Sequence, residues 1–182
     1  MSLKNSIGKR LGIMLLVLTA FMAHSQSKEY QIKATFLFNF AQFVGWPTNA
    51  FASADAPFCI GILGDDPFGN FLDGTIQGEK IGGHPLVVQR YHQAGEIQGC
   101  QILFVSHSEA GRFQEILAGL KNKNILTIGD TAGFCKDGGI VRFVTEQNKI
   151  HFRINPEAAK NANLEVSSKL LRLAEIVKPG ED

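Results

Sequence analysis

Cys59, Cys100 and Cys135 carry the most definite chemistry in this 182-residue chain. A thiol can close a disulfide, attack as a thiolate or bind a metal, and its neighbours decide which. Cys59 stands at the start of the apolar run Phe58 to Leu63, and Cys100 directly before Gln101 to Val105. If these runs are neighbouring parallel strands, both thiols sit at one end of the sheet, one strand spacing apart. That falls within the ~4.4–6.8 Å Cα separation a disulfide accepts, and closing so long a loop stabilises by roughly 4 kcal/mol in the chain-entropy model. Two buried free thiols, acting as small apolar side chains, are the alternative. Cys135, in Gly133-Phe134-Cys135-Lys136-Asp137, has no partner left. Lys136 beside it favours thiolate, but no histidine is close in sequence to serve as a base.

The other reactive side chains do not assemble. His84, His92, His107 and His151 show neither an i, i+4 pair nor a Cys-x-x-Cys companion, so no metal site is expected. Gly64-Asp65-Asp66-Pro67-Phe68-Gly69 is neither G-x-G-x-x-G nor a P-loop, and its two carboxylates would repel a phosphate. Asp66 before Pro67 reads as a helix N-cap. Asp65 follows a strand, as does His107, and open α/β sheets take ligands at the carboxyl ends of their strands. Gly-x-Ser-x-Gly and His-Glu-x-x-His are both missing from the sequence, and no cofactor is expected.

The chain begins as an exported protein does. Lys4, Lys9 and Arg10 precede an apolar stretch, Leu11 to Met22, too short to span a bilayer comfortably. Ala23-His24-Ser25 then offers small residues where signal peptidase reads, which puts cleavage before Gln26. Losing this leader removes three of the 18 basic residues and none of the 17 acidic ones, so the mature net charge is −2. That balance gives no electrostatic footprint for nucleic acid and no polybasic patch for anionic lipid. Residues 26–182 suit a single domain.

The elements alternate. Glu29 to Val44 reads as a helix with a narrow polar stripe (Gln31, Thr35, Asn39, Gln42) and an otherwise apolar surface that needs cover on more than one side. Part of that surface, with Phe36, Phe40 and Trp46, is a candidate partner face. Strands are expected at Phe58 to Leu63, Leu86 to Tyr91, Gln101 to Val105 and Ile125 to Ile128. Helices are expected at Phe68 to Ile76 and at Ser108 to Leu120, the latter capped by Ser108. Ile140 to Thr145 and Lys149 to Ile154 flank Glu146-Gln147-Asn148 as a hairpin. Ser167 to Val177 follows a helical period, with Leu170, Leu173 and Val177 inward. Strands separated by helices predict an α/β fold: a three-layer αβα sandwich, mostly parallel, in order 2-1-3-4-5 with a C-terminal antiparallel hairpin.

Lys33, Ala34, Phe36, Phe40, Phe43 and Trp46-Pro47, followed by Gly64 to Gly69, resemble the YfiR family of bacterial periplasmic regulators (YfiR/HmsC-like). The resemblance continues through Gly99-Cys100-Gln101 to Ser106, Ile125 to Asp130, Gly133-Phe134, Gly138-Gly139-Ile140, Ile154-Asn155 and Ser167 to Ala174. It implies the same three-layer fold. It also implies disulfide bonding, since members carry disulfides and the Cys59 and Cys100 positions match; some members have a second bridge, which this chain lacks. Functionally it implies a non-enzymatic periplasmic repressor, dimeric, acting by contact on a membrane-bound diguanylate cyclase or similar sensor. An outer-membrane lipoprotein that sequesters the repressor is implied as a second partner. A single-lobe small-molecule sensor is the rival reading, since the chain has room for one lobe and not the hinged pair of solute-binding proteins.

Overall fold

The computed structural model describes residues 28–147 and 149–182; the expected leader Met1 to Ser25, its cleavage before Gln26, and Asn148 of the hairpin turn lie outside them. Helix α1 covers 28–43 and runs into a short strand, β1 (Val44–Gly45). Then follow β2 (Phe58–Leu63), α2 (Asn70–Ile76), β3 (Lys80–Ile81), β4 (His84–Tyr91) and β5 (Ile102–Val105). A 3-10 turn (His107–Arg112) leads into α3 (Phe113–Gly119), β6 (Leu126–Gly129), β7 (Val141–Glu146) and β8 (Lys149–Ile154). The described chain closes with α4 (Pro156–Asn161), β9 (Glu165–Val166), α5 (Ser168–Leu171) and β10 (Glu175–Ile176).

Among the described residues eight strands form one sheet, in the order β10-β8-β7-β6-β5-β2-β4-β3. β4, β2, β5, β6 and β7 are mutually parallel, β8 is antiparallel to β7, and β3 is antiparallel to β4. This is the expected doubly wound order with its C-terminal hairpin, extended by the small edge strands β3 and β10.

Burial on both faces explains why the central strands read as unbroken apolar runs. Alternate residues of one strand serve opposite cores. Phe58, Ile60, Ile62, Ile102, Phe104, Leu126 and Ile128 pack with α1 and α2, while Cys59, Leu63, Leu103 and Val105 meet Phe113, Ile116, Leu117 and Phe134 on the other side. Gly61 in mid-β2 has no room for a Cβ, because the Tyr91 ring, the Cys100 thiol and Leu103 close over it. The aromatic helix is held in the same way. Phe40 is fully buried, 5.2 Å from the Phe152 ring and 5.8 Å from Phe143, and Phe36 sits 5.7 Å from Phe152 and 5.8 Å from Phe143. Of the other large apolar residues of α1, Ile32 and Phe43 remain exposed.

Three expectations need correction. Ser108 caps no helix: its Oγ accepts the Asp65 N–H at 3.0 Å, and the chain around it is a 3-10 turn, with α3 starting only at Phe113. Asp66 likewise closes a local turn, accepting the Phe68 and Gly69 N–H groups, while α2 begins at Asn70. The Ser167 to Val177 helix is one turn long. Ser167 caps it, but after Leu171 the chain straightens and Glu175–Ile176 pair with β8. Leu173, expected inward, is 76% exposed, whereas Leu170 and Val177 are buried as expected. The hydrogen-bonding edge of β8 outcompetes a helical period in so short a segment. Two elements carried no clear sequence signal: α4, which Asn155 caps, and the β1–β9 pairing that ties the end of α1 to the C-terminal region.

Candidate functional site

Helix α1 crosses the whole sheet. Its first turns bring Tyr30 and Lys33 to Asp130, just past the carboxyl end of β6. The residues after it bring Trp46 to the opposite end, where the indole Nε1–H donates to the Gln101 carbonyl and the ring lies edge-on to Phe58 at 4.9 Å. The helix therefore runs antiparallel to the parallel strands and joins both ends of the sheet.

At the carboxyl end Lys33 is only 2% exposed. Its ammonium lies 2.7 Å from Asp130 and 2.6 Å from Glu29, and 4.5 Å from the Tyr30 ring centroid. Tyr30 donates its hydroxyl to the same Asp130 oxygen at 2.8 Å. Burial, with the Asp130 charge adding to it, raises the Tyr30 pKa well above the ordinary phenol value, so this hydroxyl stays a donor. Glu29 is tied in turn to β7 by the Thr145 hydroxyl. A buried ammonium is tolerated because both carboxylates and an aromatic face compensate it. These groups line a cavity of about 730 Å³ together with His107, Thr131 and Arg142.

The switch point of the strand order, between β2 and β5, is where open α/β sheets take ligands. Here it is closed. Gly64 (φ +86°) leaves no space for a side chain because Ser108 and Glu109 press on it, and Ser108 accepts the Asp65 N–H. Asp65 is exposed beside this plug. His107 instead faces Thr131 at 3.1 Å and lines the Lys33 cavity. The five candidate surface residues thus separate. His107 belongs to the mouth at the carboxyl end, Asp65 lies beside the plug, Trp46 is at the far end, Phe36 is half-buried among core rings, and Phe40 is entirely within the core and presents no surface.

Cys59 and Cys100 meet on the sheet face that carries α3. Both are buried and present as free thiols. The Cys100 thiol beside it lowers the Cys59 pKa against the opposing effect of burial; burial, with Cys59 beside it, raises that of Cys100. The Tyr91 hydroxyl lies 3.7 Å from Cys59. Gln101 locks the backbone around them, accepting the Cys59 N–H at 2.7 Å and donating to the Ala50 carbonyl.

Cys135 is not activated. It is completely buried and its thiol is pushed up to about 12, chiefly by burial and further by Asp182, so exposed Lys136 does not favour a thiolate. His84 has a structural place, its ring stacked 4.0 Å from Phe51 and its Nδ1 bonded to the Ala56 carbonyl. Among the described residues no group of three or more His, Cys, Asp or Glu is placed to hold a metal ion, and no helix is long and apolar enough to cross a membrane.

The sequence profile of the YfiR/HmsC-like family matches residues 30–175, about four-fifths of the chain. The chain belongs to that family. The YfiR/HmsC-like proteins are periplasmic regulators of cyclic di-GMP signalling. No curated protein matches the chain. Among solved structures, an ABC domain in complex with L-Trp from Streptococcus pneumonia aligns at 12% identity and TM-score 0.48, over 66% of this chain and 55% of that one. The chain thus spans little more than half of that structure, and a likeness this low defines neither fold nor ligand.

Lys33 and Asp130 were not singled out for any role by residue type alone, although Lys33 interrupts the apolar surface of α1 and Asp130 follows β6 as Asp65 follows β2. Their pairing makes a sharp prediction. Lys33→Met strands a carboxylate that is 9% exposed, and should destabilise the protein by about 3–5 kcal/mol in urea titration. Lys33→Met with Asp130→Leu should recover most of that loss. A double variant no more stable than the single one would show that the pair is not what holds α1 in place.

Proposed function

We propose that the mature chain, residues 26–182 released by cleavage after Ser25, is a single-domain periplasmic repressor. It lowers the output of a membrane-bound diguanylate cyclase, or of a similar envelope sensor, by protein–protein contact. The observation that carries this reading is the family match over residues 30–175. The side-chain chemistry agrees with it: buried Cys135 holds its proton, His84 is spent on a stack and a carbonyl, and Lys33 is neutralised by two carboxylates.

Repression by contact is a population shift. The protein biases the cyclase only by the difference between its affinities for the inactive and active states. Turning a 1:99 equilibrium into 99:1 needs a ratio of about 10⁴, which calls for a broad, rigid docking surface rather than a single anchor. Exposed Ile32 and Phe43 on α1, with Trp46 half-exposed beyond them, are the apolar part of that surface, and His107 and Asp65 are polar candidates at the carboxyl end of the sheet. A homodimer and an outer-membrane lipoprotein that sequesters the repressor complete the circuit implied by the family. The rival, a single-lobe small-molecule sensor, draws on one observation, the cavity of about 730 Å³ beside Lys33 and Arg142.

In the oxidising periplasm the two adjoining thiols Cys59 and Cys100 form a disulfide that pins β2 to the entry of β5. Mass mapping of non-reduced peptides from exported protein should find these two linked and Cys135 free; a peptide joining Cys135 to either of them would overturn the pairing.

Deleting the gene should raise cellular cyclic di-GMP, and the exported form should restore it. A form lacking Met1 to Ser25 should fail to do so, because its target lies across the inner membrane. Unchanged cyclic di-GMP after deletion would contradict the proposal, and so would turnover of a substrate by the purified protein without a partner.

A further inference from the structure

The outer half of the sheet offers a charged face, with Glu146 beside its basic groups, that the chain itself has filled. Val141, Phe143, Phe152 and Ile154 of the β7–β8 hairpin point into the core under α1. Arg142 and Arg153, the residues between them, therefore point to the opposite face, and they stand directly across from each other in the register. His151, two residues before Arg153 and exposed, shares that face. Arg153 reaches Glu175 at the sheet edge, at 2.9 Å.

Arg142 is served differently. Its side chain is 13% exposed, and its Nη1 donates at 2.5 Å to Oδ2 of Asp182, whose side chain is 8% exposed. The Gly133 backbone N–H donates to the same oxygen. The second carboxylate oxygen, Oδ1, and the guanidinium Nε are both buried with no hydrogen-bond partner. A guanidinium and a carboxylate match each other through two parallel bonds. Here one oxygen receives both donors and the other receives none, although a free donor is available on the same arginine. The pocket is charged, desolvated and equipped for a carboxylate, and Asp182 occupies it in an incomplete geometry.

We propose that Arg142 and the Gly133 N–H form a carboxylate-binding site that Asp182 fills in the free protein, and that an acidic segment of a partner chain takes it by displacing residues 178–182. The occupant argues for peptide as the ligand, since what sits there now is an acidic side chain delivered by a short run of polypeptide, onto a face carrying Arg142, Arg153 and His151. This inference rests on the reading of the protein as one that acts by contact. It adds that the contact is gated: while Asp182 is bound, the apparent affinity for a partner is reduced by the fraction of open sites.

The test uses the protein's own 178–182 segment in trans. A fluorescein-labelled, amide-capped peptide copying Lys178 to Asp182 is titrated by anisotropy against the mature chain and its variants. Asp182→Asn removes the internal competitor and should bind the peptide about tenfold tighter or better than the unmodified chain. Adding Arg142→Gln to that variant should abolish binding. Arg142→Lys, which keeps the charge but loses the fork and is the safer substitution for folding, should weaken binding about tenfold. Equal binding by the unmodified chain and Asp182→Asn, or binding retained in both Arg142 variants, would overturn the site. Free glutamate competing as well as unlabelled peptide at equal concentration would assign the site to small carboxylic acids and overturn the peptide reading. None of these readouts depends on cyclic di-GMP, so a failed deletion phenotype and a failed site remain distinguishable.

Discussion

The buried ion pair between Lys33 and Asp130 is the constraint on which the arrangement of the sheet and its first helix depends. An ammonium taken out of water has only one acceptable position, the one where its carboxylates are. Because Asp130 sits at the carboxyl end of β6, that position fixes both the direction of α1 and its register along the sheet. Apolar packing alone is less selective: the Phe36 and Phe40 rings would tolerate some sliding over Phe143 and Phe152. The pair contributes little net stability beyond what apolar substitutes would give. What it contributes is uniqueness.

With α1 fixed, the two ends of the sheet acquire different characters. At the amino end, Gln101 and Trp46 lock the entry to β5 against β2, where Cys59 and Cys100 lie side by side. At the carboxyl end, the switch-point crevice that α/β proteins commonly use for ligands is filled by Ser108 and Glu109 over Gly64. An open cavity lies further along the sheet, near Lys33, His107 and Arg142.

What the sequence made legible follows the physics of burial. Phe58 to Leu63 and Gln101 to Val105 are readable because strands buried on both faces leave no polar alternation to confuse, and the parallel order then follows from the helices between them. Failures came where tertiary hydrogen bonds overrode a local pattern. The segment from Ser167 has a helical period, but the open edge of β8 captures Glu175–Ile176 and turns Leu173 outward. Ser108 has the composition of a cap, yet its hydroxyl is taken by Asp65 from another strand end. The Arg142–Asp182 contact joins residues 40 positions apart and leaves no signature in spacing. Asp65 and His107 both follow strands at the carboxyl end, but spacing does not reveal that one flanks a plug and the other an open mouth.

The claim that this protein works by contact across the envelope can be tested without a cell. Right-side-out membrane vesicles carrying the cognate diguanylate cyclase, loaded with GTP, receive the purified mature chain on their outer face. Cyclic di-GMP synthesis inside should fall in a saturable way, and should recover when the chain is washed out. Synthesis that stays constant at saturating protein would contradict the account at its centre.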